Sequence, residues 1–176
     1  MVVKTERPQI YSQFYQTPFG SKLILGERQG ELMFCDWVAE GYPFGKNASK
    51  VLSRTECKLL FQESPFLKEV KENLDEYFAW GRRSFLFPIR LEGSDFQKKV
   101  WTELQKIPFG KKVSYLTVAE LIGMKKGVRA VAGAIGRNPI SIIVPCHRVV
   151  GSNGSLTGYA GGLKAKQWLL KFETGN

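Results

Sequence analysis

Residues 9–40 alternate apolar and polar side chains along three short runs, and this alternation constrains the fold more than any other feature of the chain. Turn-forming sequences at 17–20 and 28–31 separate the runs. Because successive side chains of a strand point to opposite faces, the pattern predicts three antiparallel strands with one buried face. Cys35 shares a face with Met33 and Trp37 in the third run, so we expect it in the core.

Two helical patterns follow the strands. Cys57 lies beside Leu60 and Phe61 at helical spacing within 55–61, which predicts a short helix with a buried cysteine. Ser64 and Pro65 are typical of a helix N-cap and first helical position, and apolar residues then recur at helical spacing as far as Gly81. This second helix is expected to cover one face of the strands.

The second half of the chain has a different pattern. Ser94 and Gln97 have the spacing of a capping box, so a helix is expected from there until Pro108. Two short helices are predicted from Ser114 to Ile122 and from Val128 to about Arg137, joined by a glycine-bounded turn at 123–127. Such a pair is typical of a helix-turn-helix. Strands followed by helices predict an α+β chain. The extended segment at 88–93 and the change in charge balance after it predict domains at 1–93 and 94–176.

The formal net charge of +10 comes almost entirely from residues 94–176. That part holds 13 Lys and Arg against 4 Asp and Glu, whereas residues 1–93 hold 13 against 12. A basic domain attracts polyanions because each neutralised phosphate releases condensed counterions. Charge alone fits nucleic-acid binding and a simple solubilising surface equally well.

The helix expected from Val128 holds Gly133 and Gly136, and Arg129 lies at its start. Glycine inside a helix costs roughly 1 kcal/mol relative to alanine, so its presence indicates that another body approaches the helix closely. That body is either a packed helix or DNA. Small side chains would suit the narrow minor groove.

The cysteine and histidine content excludes several kinds of site. Cys35, Cys57 and Cys146 lack the spacing of a zinc site or a disulfide framework, and His147 is the only histidine. The N-terminus is charged too early for a signal peptide, and no apolar run is long enough to span a bilayer. We therefore expect an intracellular protein with no membrane partner, no metal and no cofactor.

The most reactive candidate is Cys146, which follows an apolar, β-branched run at 141–145 that predicts a short strand. A cysteine attacks only as thiolate, so its pKa has to be lowered by a base or by positive charge. His147 and Arg148 are adjacent candidates for both roles. A buried structural cysteine beside an incidental histidine is the alternative.

Glu173 favours the reactive interpretation. It falls in the last turn of a helix expected from Gly162 to Phe172, where the helix dipole disfavours an anion, so it needs a partner. The His147 imidazole would complete a Cys-His-Glu relay. Because neighbouring strand residues face opposite ways, we expect a water between Cys146 and His147.

The octet at 143–150, Ile-Val-Pro-Cys-His-Arg-Val-Val, resembles the active-site signature of the O6-alkylguanine-DNA alkyltransferases. The resemblance runs from about Phe96 to Glu173 and includes the sequences at 113–115, 129–131, 137–139 and 158–162. It implies a ribonuclease H-like N-terminal domain and a winged-helix-like C-terminal domain. It also implies a monomer that binds double-stranded DNA and irreversibly accepts an alkyl group from O6-alkylguanine, and from O4-alkylthymine.

The resemblance implies roles for individual residues. Cys146 would accept the alkyl group, His147 would be the water-linked base oriented by Glu173, and Asn138 would tie the helix-turn-helix to the reactive segment. Arg129 would fill the gap left by an extruded nucleotide, while Tyr115 would push the phosphate and donate its hydroxyl to the guanine. The remaining implied DNA contacts are Ser114, Lys125, Ala130, Gly133, Ala134 and Arg137, and the implied pocket residues are Pro145, Val149, Tyr159 and Ala160.

Two departures from the family pattern have consequences. Ala160 stands where some relatives have serine, which leaves only a backbone donor and changes the tolerance for bulky alkyl groups. Some relatives bind a structural zinc in the N-terminal domain, but here only Cys35 and Cys57 are available there.

Two other functions remain open at this stage. A Cys-His acyl-transfer enzyme would explain the dyad but neither the basic C-terminal half nor the glycine-containing helix. A lesion sensor or regulator without transfer would bind DNA in the same way, but it has no need for an intact Cys146.

Overall fold

The computed structural model describes residues 7–175. Within this range the chain forms a four-stranded sheet, a two-stranded sheet and six α-helices. The first half contains β1 (Gln9–Gln16), β2 (Lys22–Arg28), β3 (Glu31–Trp37), α1 (Lys46–Thr55), β4 (Lys58–Phe61) and α2 (Pro65–Phe78). The second half contains α3 (Asp95–Leu104), β5 (Val113–Ser114), α4 (Tyr115–Leu121), α5 (Val128–Ile135), β6 (Val149–Val150) and α6 (Gly162–Thr174).

The larger sheet has the strand order β3-β2-β1-β4. The three antiparallel strands predicted from the alternation are confirmed, and β2 and β3 are joined by a two-residue turn. Both turn residues, Gln29 and Gly30, have positive φ, as tight hairpins require. The fold class is therefore α+β, as expected.

The short helix expected at 55–61 is wrong. Glu56 adopts a left-handed conformation that ends α1, and the chain then joins the edge of the sheet as β4, parallel to β1. Cys57 is only half-buried at this corner, beside a small core cluster, whereas Cys35 lies fully in the main core. Short apolar runs fit a helix and an edge strand equally well, and sheet pairing decided the outcome here.

Helices cover both faces of the larger sheet. On one face α2 buries Leu67, Val70 and Leu74 in the main core, and its predicted Ser64 cap accepts a hydrogen bond from the Leu67 N–H at 3.1 Å. On the other face α1 buries Ala48 and Val51 in a second, smaller cluster. The sheet is thus held between α1 and α2.

The second half continues the main core and contains the predicted helix-turn-helix. Its first helix, α3, begins with the expected capping box between Ser94 and Gln97. The indole N–H of Trp101 donates to the carbonyl of Ala134 at 2.9 Å, which fixes α5 against α3. A 3-10 turn at Lys125–Gly127 joins α4 to α5. These contacts place α5 at the surface with one face exposed.

Backbone hydrogen bonds attach the second half to the edge of the larger sheet. The Cys35 N–H donates to the Pro139 carbonyl at 2.9 Å, and the Ser141 N–H donates to the Cys35 carbonyl at 2.7 Å. The segment before Cys146 is therefore anchored on β3. Across residues 7–175, no helix has the length and apolar character needed to cross a membrane.

Candidate active site

The strand expected at 141–145 is wrong, because this segment folds into a compact loop. Ile142 has a φ of 72°, which reverses the chain, and the Val144 N–H donates back to the Ile140 carbonyl at 2.9 Å. Ile142 and Val144 are both buried, so these apolar side chains pack in the core although the segment is not an extended strand. The loop delivers Cys146 into a single 3-10 turn, Cys146–Arg148, and β6 then pairs with β5.

The loop is wrapped around the side chain of Asn138, at the end of the helix-turn-helix. The Asn138 oxygen accepts the Ile140 N–H at 2.9 Å, and its nitrogen lies 2.8 Å from the Val144 carbonyl and 3.1 Å from the Cys146 sulfur. Asn138 thus joins the helix-turn-helix to the thiol, in the position expected from the sequence. It also supplies the hydrogen-bond donor to Sγ.

The Cys146 thiol is buried, with 5% of the residue exposed. Burial raises its pKa to about 11, against the lowering effects of the Asn138 amide and the positive charge of Lys166. The expectation that Arg148 lends its charge to the sulfur is wrong, because Glu173 binds the guanidinium. Cys146 is therefore a neutral thiol at rest, and a proton acceptor is needed when it reacts.

His147 and Glu173 form the contact that the sequence predicted. His147 Nε2 lies 2.7 Å from Glu173 Oε1, and both side chains are buried. Hydrogen bonding to His147 and Arg148 holds the pKa of Glu173 well below its ordinary value, so the carboxylate can only accept hydrogen bonds. Nε2 therefore carries the proton, and Nδ1 is left as the basic nitrogen.

Nδ1 of His147 is buried without a partner among the described residues. Burial lowers the pKa of His147, so the ring is neutral near pH 7. A buried, unprotonated ring nitrogen is chemically suited to accept a proton, directly or through a water molecule.

Several parts of the chain donate hydrogen bonds to the Glu173 carboxylate. These donors stabilise an anion in the last turn of α6, where the helix dipole alone would disfavour it. Arg148 binds it in a bidentate manner, with both nitrogen–oxygen distances at 2.9 Å. The Tyr77 hydroxyl donates to Oε1 at 2.6 Å, and the Gly110 N–H donates to Oε2 at 3.1 Å. Tyr77 was not identified from the sequence, because nothing local marks a residue of α2 as a partner of α6.

A second missed residue is Lys166, whose side chain is fully buried. Its amine donates to the Thr157 carbonyl at 2.9 Å and to the Tyr115 hydroxyl at 3.3 Å. The Tyr115 hydroxyl in turn donates to the same carbonyl at 3.1 Å. The sequence does contain a signal for Lys166. Lys166 and Glu173 are two helical turns apart and therefore share the buried face of α6, where charged residues are rare.

A cavity of about 1140 Å³ lies beside this site, between α5, the loop before α6, and the N-terminal half. Tyr159 forms part of its wall, and burial raises the pKa of the Tyr159 hydroxyl. Of the residues expected to bind DNA or the base, this cavity is lined by Tyr115, Arg129, Gly133, Arg137, Tyr159 and Ala160.

The other expected contact residues lie elsewhere. Ala130 is exposed on the outer face of α5, in a shallow groove with Arg129, Gly133 and Arg137. Lys125 is exposed and paired with Glu120 at 2.8 Å. Ser114 caps α4, Ala134 and Val149 are buried, and Pro145 lines a separate cavity of about 190 Å³. Residues 7–175 contain no group of three or more His, Cys, Asp or Glu side chains arranged to hold a metal ion.

An exposed helix-turn-helix beside a buried cysteine, with a basic nitrogen and an ammonium group close by, has the parts that a DNA-acting, cysteine-dependent transferase needs. Comparisons with known proteins agree. The model of the 6-O-methylguanine DNA methyltransferase DNA-binding domain matches residues 95–175, and that of the family's ribonuclease-like domain matches residues 10–91. The chain belongs to the 6-O-methylguanine DNA methyltransferase family.

Individual relatives match over nearly the whole chain. A methylated-DNA–protein-cysteine methyltransferase of Methanosarcina acetivorans is 40% identical over 93% of this chain and 98% of its own length. The constitutive Bacillus subtilis enzyme of that name is 41% identical, over 90% of this chain and 92% of its own. The crystal structure of Mycobacterium tuberculosis O6-methylguanine methyltransferase superposes with a TM-score of 0.78 at 36% identity, covering 94% of this chain and 93% of that one. The crystal structure of M. tuberculosis OGT in complex with DNA superposes with a TM-score of 0.76 at 35% identity, covering 95% of this chain and 93% of that one.

Proposed function

We propose that Cys146 is the residue on which this protein repairs DNA. The protein repairs DNA by moving a methyl group from alkylated DNA to one of its own cysteines. Among Cys35, Cys57 and Cys146, only Cys146 lies within hydrogen-bond distance of an amide donor and next to a buried imidazole. This placement is the observation that carries the proposal.

The reaction forms the bond between Sγ and the methyl carbon and breaks the bond between that carbon and guanine O6. The electron pair of the broken bond stays with the guanine, the thiol loses a proton, and the guanine gains one. Because the pKa of the resting thiol is about 11, deprotonation has to accompany substrate binding. His147 Nδ1, bridged to Sγ by a water molecule, takes this proton while Glu173 holds the ring.

Tyr115 and Lys166 supply the proton to the leaving guanine. The Tyr115 hydroxyl borders the cavity, and the buried Lys166 ammonium, 3.3 Å away, stabilises negative charge on it. A proton given up by Tyr115 can be replaced from Lys166. The thioether product is chemically inert, so each molecule acts once.

The alkyl carbon cannot be reached inside the base stack, so the modified nucleotide has to leave the duplex. The exposed face of α5 enters the minor groove, Arg129 fills the gap, and the base enters the cavity between Tyr115 and Tyr159. Val149 and Pro145 do not line this cavity, since Val149 is buried and Pro145 borders the separate smaller cavity. O4-alkylthymine is a second substrate of the same pocket.

Residues 94–176 form the domain that binds DNA and accepts the alkyl group, and residues 1–93 form a scaffold domain. The scaffold also supports the chemistry, since Tyr77 holds Glu173. The protein works where DNA is kept, in the cytoplasm of a cell without a nucleus and in the nucleus of a eukaryotic cell. Its three free cysteines suit such a reducing compartment.

The test is incubation with a duplex oligonucleotide that contains one O6-methylguanine. The DNA should regain guanine while the intact protein gains the mass of one methyl group, and C146S should bind the duplex without gaining mass. Binding with no gain in mass by the unaltered protein would favour a lesion sensor. Hydrolysis of a thioester substrate would favour the acyl-transfer alternative.

A further inference from the structure

The helix α1 carries an unusual set of charges for the nearly neutral half in which it lies. Its ten residues include Lys46, Lys50 and Arg54 and no acidic residue. These three residues are spaced four apart, so they share one face of the helix, and all three are exposed. We call this set the α1 basic face.

The two lysines of the α1 basic face have no ion-pair partner in the part of the chain that the structure describes. Arg54 is held by the Glu92 carbonyl at 3.1 Å and by Gln97, but neither Lys46 nor Lys50 takes part in an ion pair within residues 7–175. Partial burial, together with Arg137, Lys46 and Arg54, lowers the pKa of Lys50. Like charges held this close repel one another, and an anionic ligand would remove the repulsion.

The α1 basic face shares a cavity with the helix expected to bind DNA. Lys46 and Lys50 line the 1140 Å³ cavity, as do Arg129 of α5 and Arg137, which lies just beyond the C-terminal end of α5. Two acidic residues also border it: Glu40 is exposed, and Asp36 is buried, with one carboxylate oxygen accepting the N–H groups of Asn47 and Ala48. The cations therefore outnumber the exposed anions.

The position of α1 relative to α5 is fixed by hydrogen bonds. The buried Asn47 side chain donates to the carbonyls of Gly136 and Asn138, at 3.3 and 3.2 Å. The Gly136 carbonyl belongs to the C-cap of α5, about one turn from Gly133, and the Asn138 carbonyl lies two residues further along the chain. A ligand in contact with α5 is consequently within reach of the α1 basic face.

We propose that Lys46 and Lys50 bind the sugar-phosphate backbone of the duplex engaged by α5, so that the N-terminal half contributes directly to DNA affinity. This inference rests on the proposed function, in which α5 binds DNA. A continuous polyanion fits better than a single small anion, because the four cations are spread over α1 and the region of α5 around one large cavity. Each lysine contributes one charge-assisted phosphate contact.

The experiment measures binding of a duplex oligonucleotide containing O6-methylguanine by fluorescence anisotropy over a range of KCl concentrations. The variants are K50Q and K46Q/K50Q, with K50R as the charge-retaining variant. K68Q is the matched control, since Lys68 is an exposed lysine of α2 whose nearest acidic partner is Glu72. R129Q tests the contact of α5 with DNA separately.

Each lost phosphate contact reduces the slope of log K against log salt by about 0.9, so K50Q should weaken binding about eightfold near 0.1 M salt. K46Q/K50Q should lose about twice that slope, K50R should bind like the unaltered protein, and K68Q should change affinity by less than about twofold. If R129Q weakens binding while K46Q/K50Q retains the full slope, the inference is wrong and the proposed function stands. If the unaltered protein does not bind the duplex, both fail.

Discussion

Replacing Glu173 with glutamine should destabilise the protein severely, although the side chain keeps its size. Five hydrogen bonds reach this carboxylate: three at Oε1, from Tyr77, His147 and Arg148, and two at Oε2, from Arg148 and Gly110. Glutamine has one acceptor oxygen and a donor NH2 group. In its better orientation, with the amide nitrogen at the Oε2 position, two donors still lose their acceptor.

An unsatisfied buried group costs about 1–3 kcal/mol, so two account for about 2–6 kcal/mol. The loss of charge also leaves Arg148 unpaired with only 6% of it exposed, and breaking such a buried pair from one side typically costs about 3–5 kcal/mol. We therefore expect Glu173→Gln to lower the free energy of unfolding by about 3–5 kcal/mol at pH 7. Urea denaturation measures this as a shift of the midpoint at constant slope.

The Arg148–Glu173 ion pair leads to two further expectations. The stability costs of the two single variants should not add, and the stability of the protein should depend on pH. R148M/E173Q removes both charges and should cost less than the sum of the single variants. Because the folded pKa of Glu173 lies below its ordinary value of 4.5, its contribution is present above that pH and is lost as the pH falls below it. A cost for Glu173→Gln under about 1 kcal/mol at pH 7 would refute this account of the network.

Two further predictions concern the thiol and its surroundings. Asn138→Ala removes the N–H donor to Sγ and should raise the pKa of Cys146 above about 11, seen as slower iodoacetamide labelling of that cysteine at each pH; labelling as fast as in the unaltered protein would contradict it. Lys166→Met should slow methyl transfer by about a hundredfold, with partial recovery in Lys166→Arg, whereas equal rates would exclude Lys166 from proton supply to Tyr115.

The N-terminal strands, the caps at Ser64 and Ser94, and the helix-turn-helix were predictable because the signals are local. Alternation, capping spacing and glycine-bounded turns each act within a few residues. The contact between His147 and Glu173 was also predictable, since a carboxylate at the wrong end of a helix requires a partner.

The remaining site residues depend on contacts between distant parts of the chain. Tyr77 lies 96 residues before Glu173, and Asn47 lies 91 residues before Asn138. No local pattern encodes such pairs. The loop at 141–145 was mistaken for a strand because a β-branched run can be buried in either form, and Asn138 stabilises the loop.

We propose that Cys146, and no other cysteine, accepts the methyl group. The direct measurement is peptide mass analysis after one equivalent of duplex containing O6-methylguanine, with each of the three cysteines located in its own peptide. We predict that the peptide containing Cys146 gains one methyl group and that those containing Cys35 and Cys57 remain unchanged. Methylation of Cys57 or Cys35, or transfer by C146S at the rate of the unaltered protein, would contradict the account.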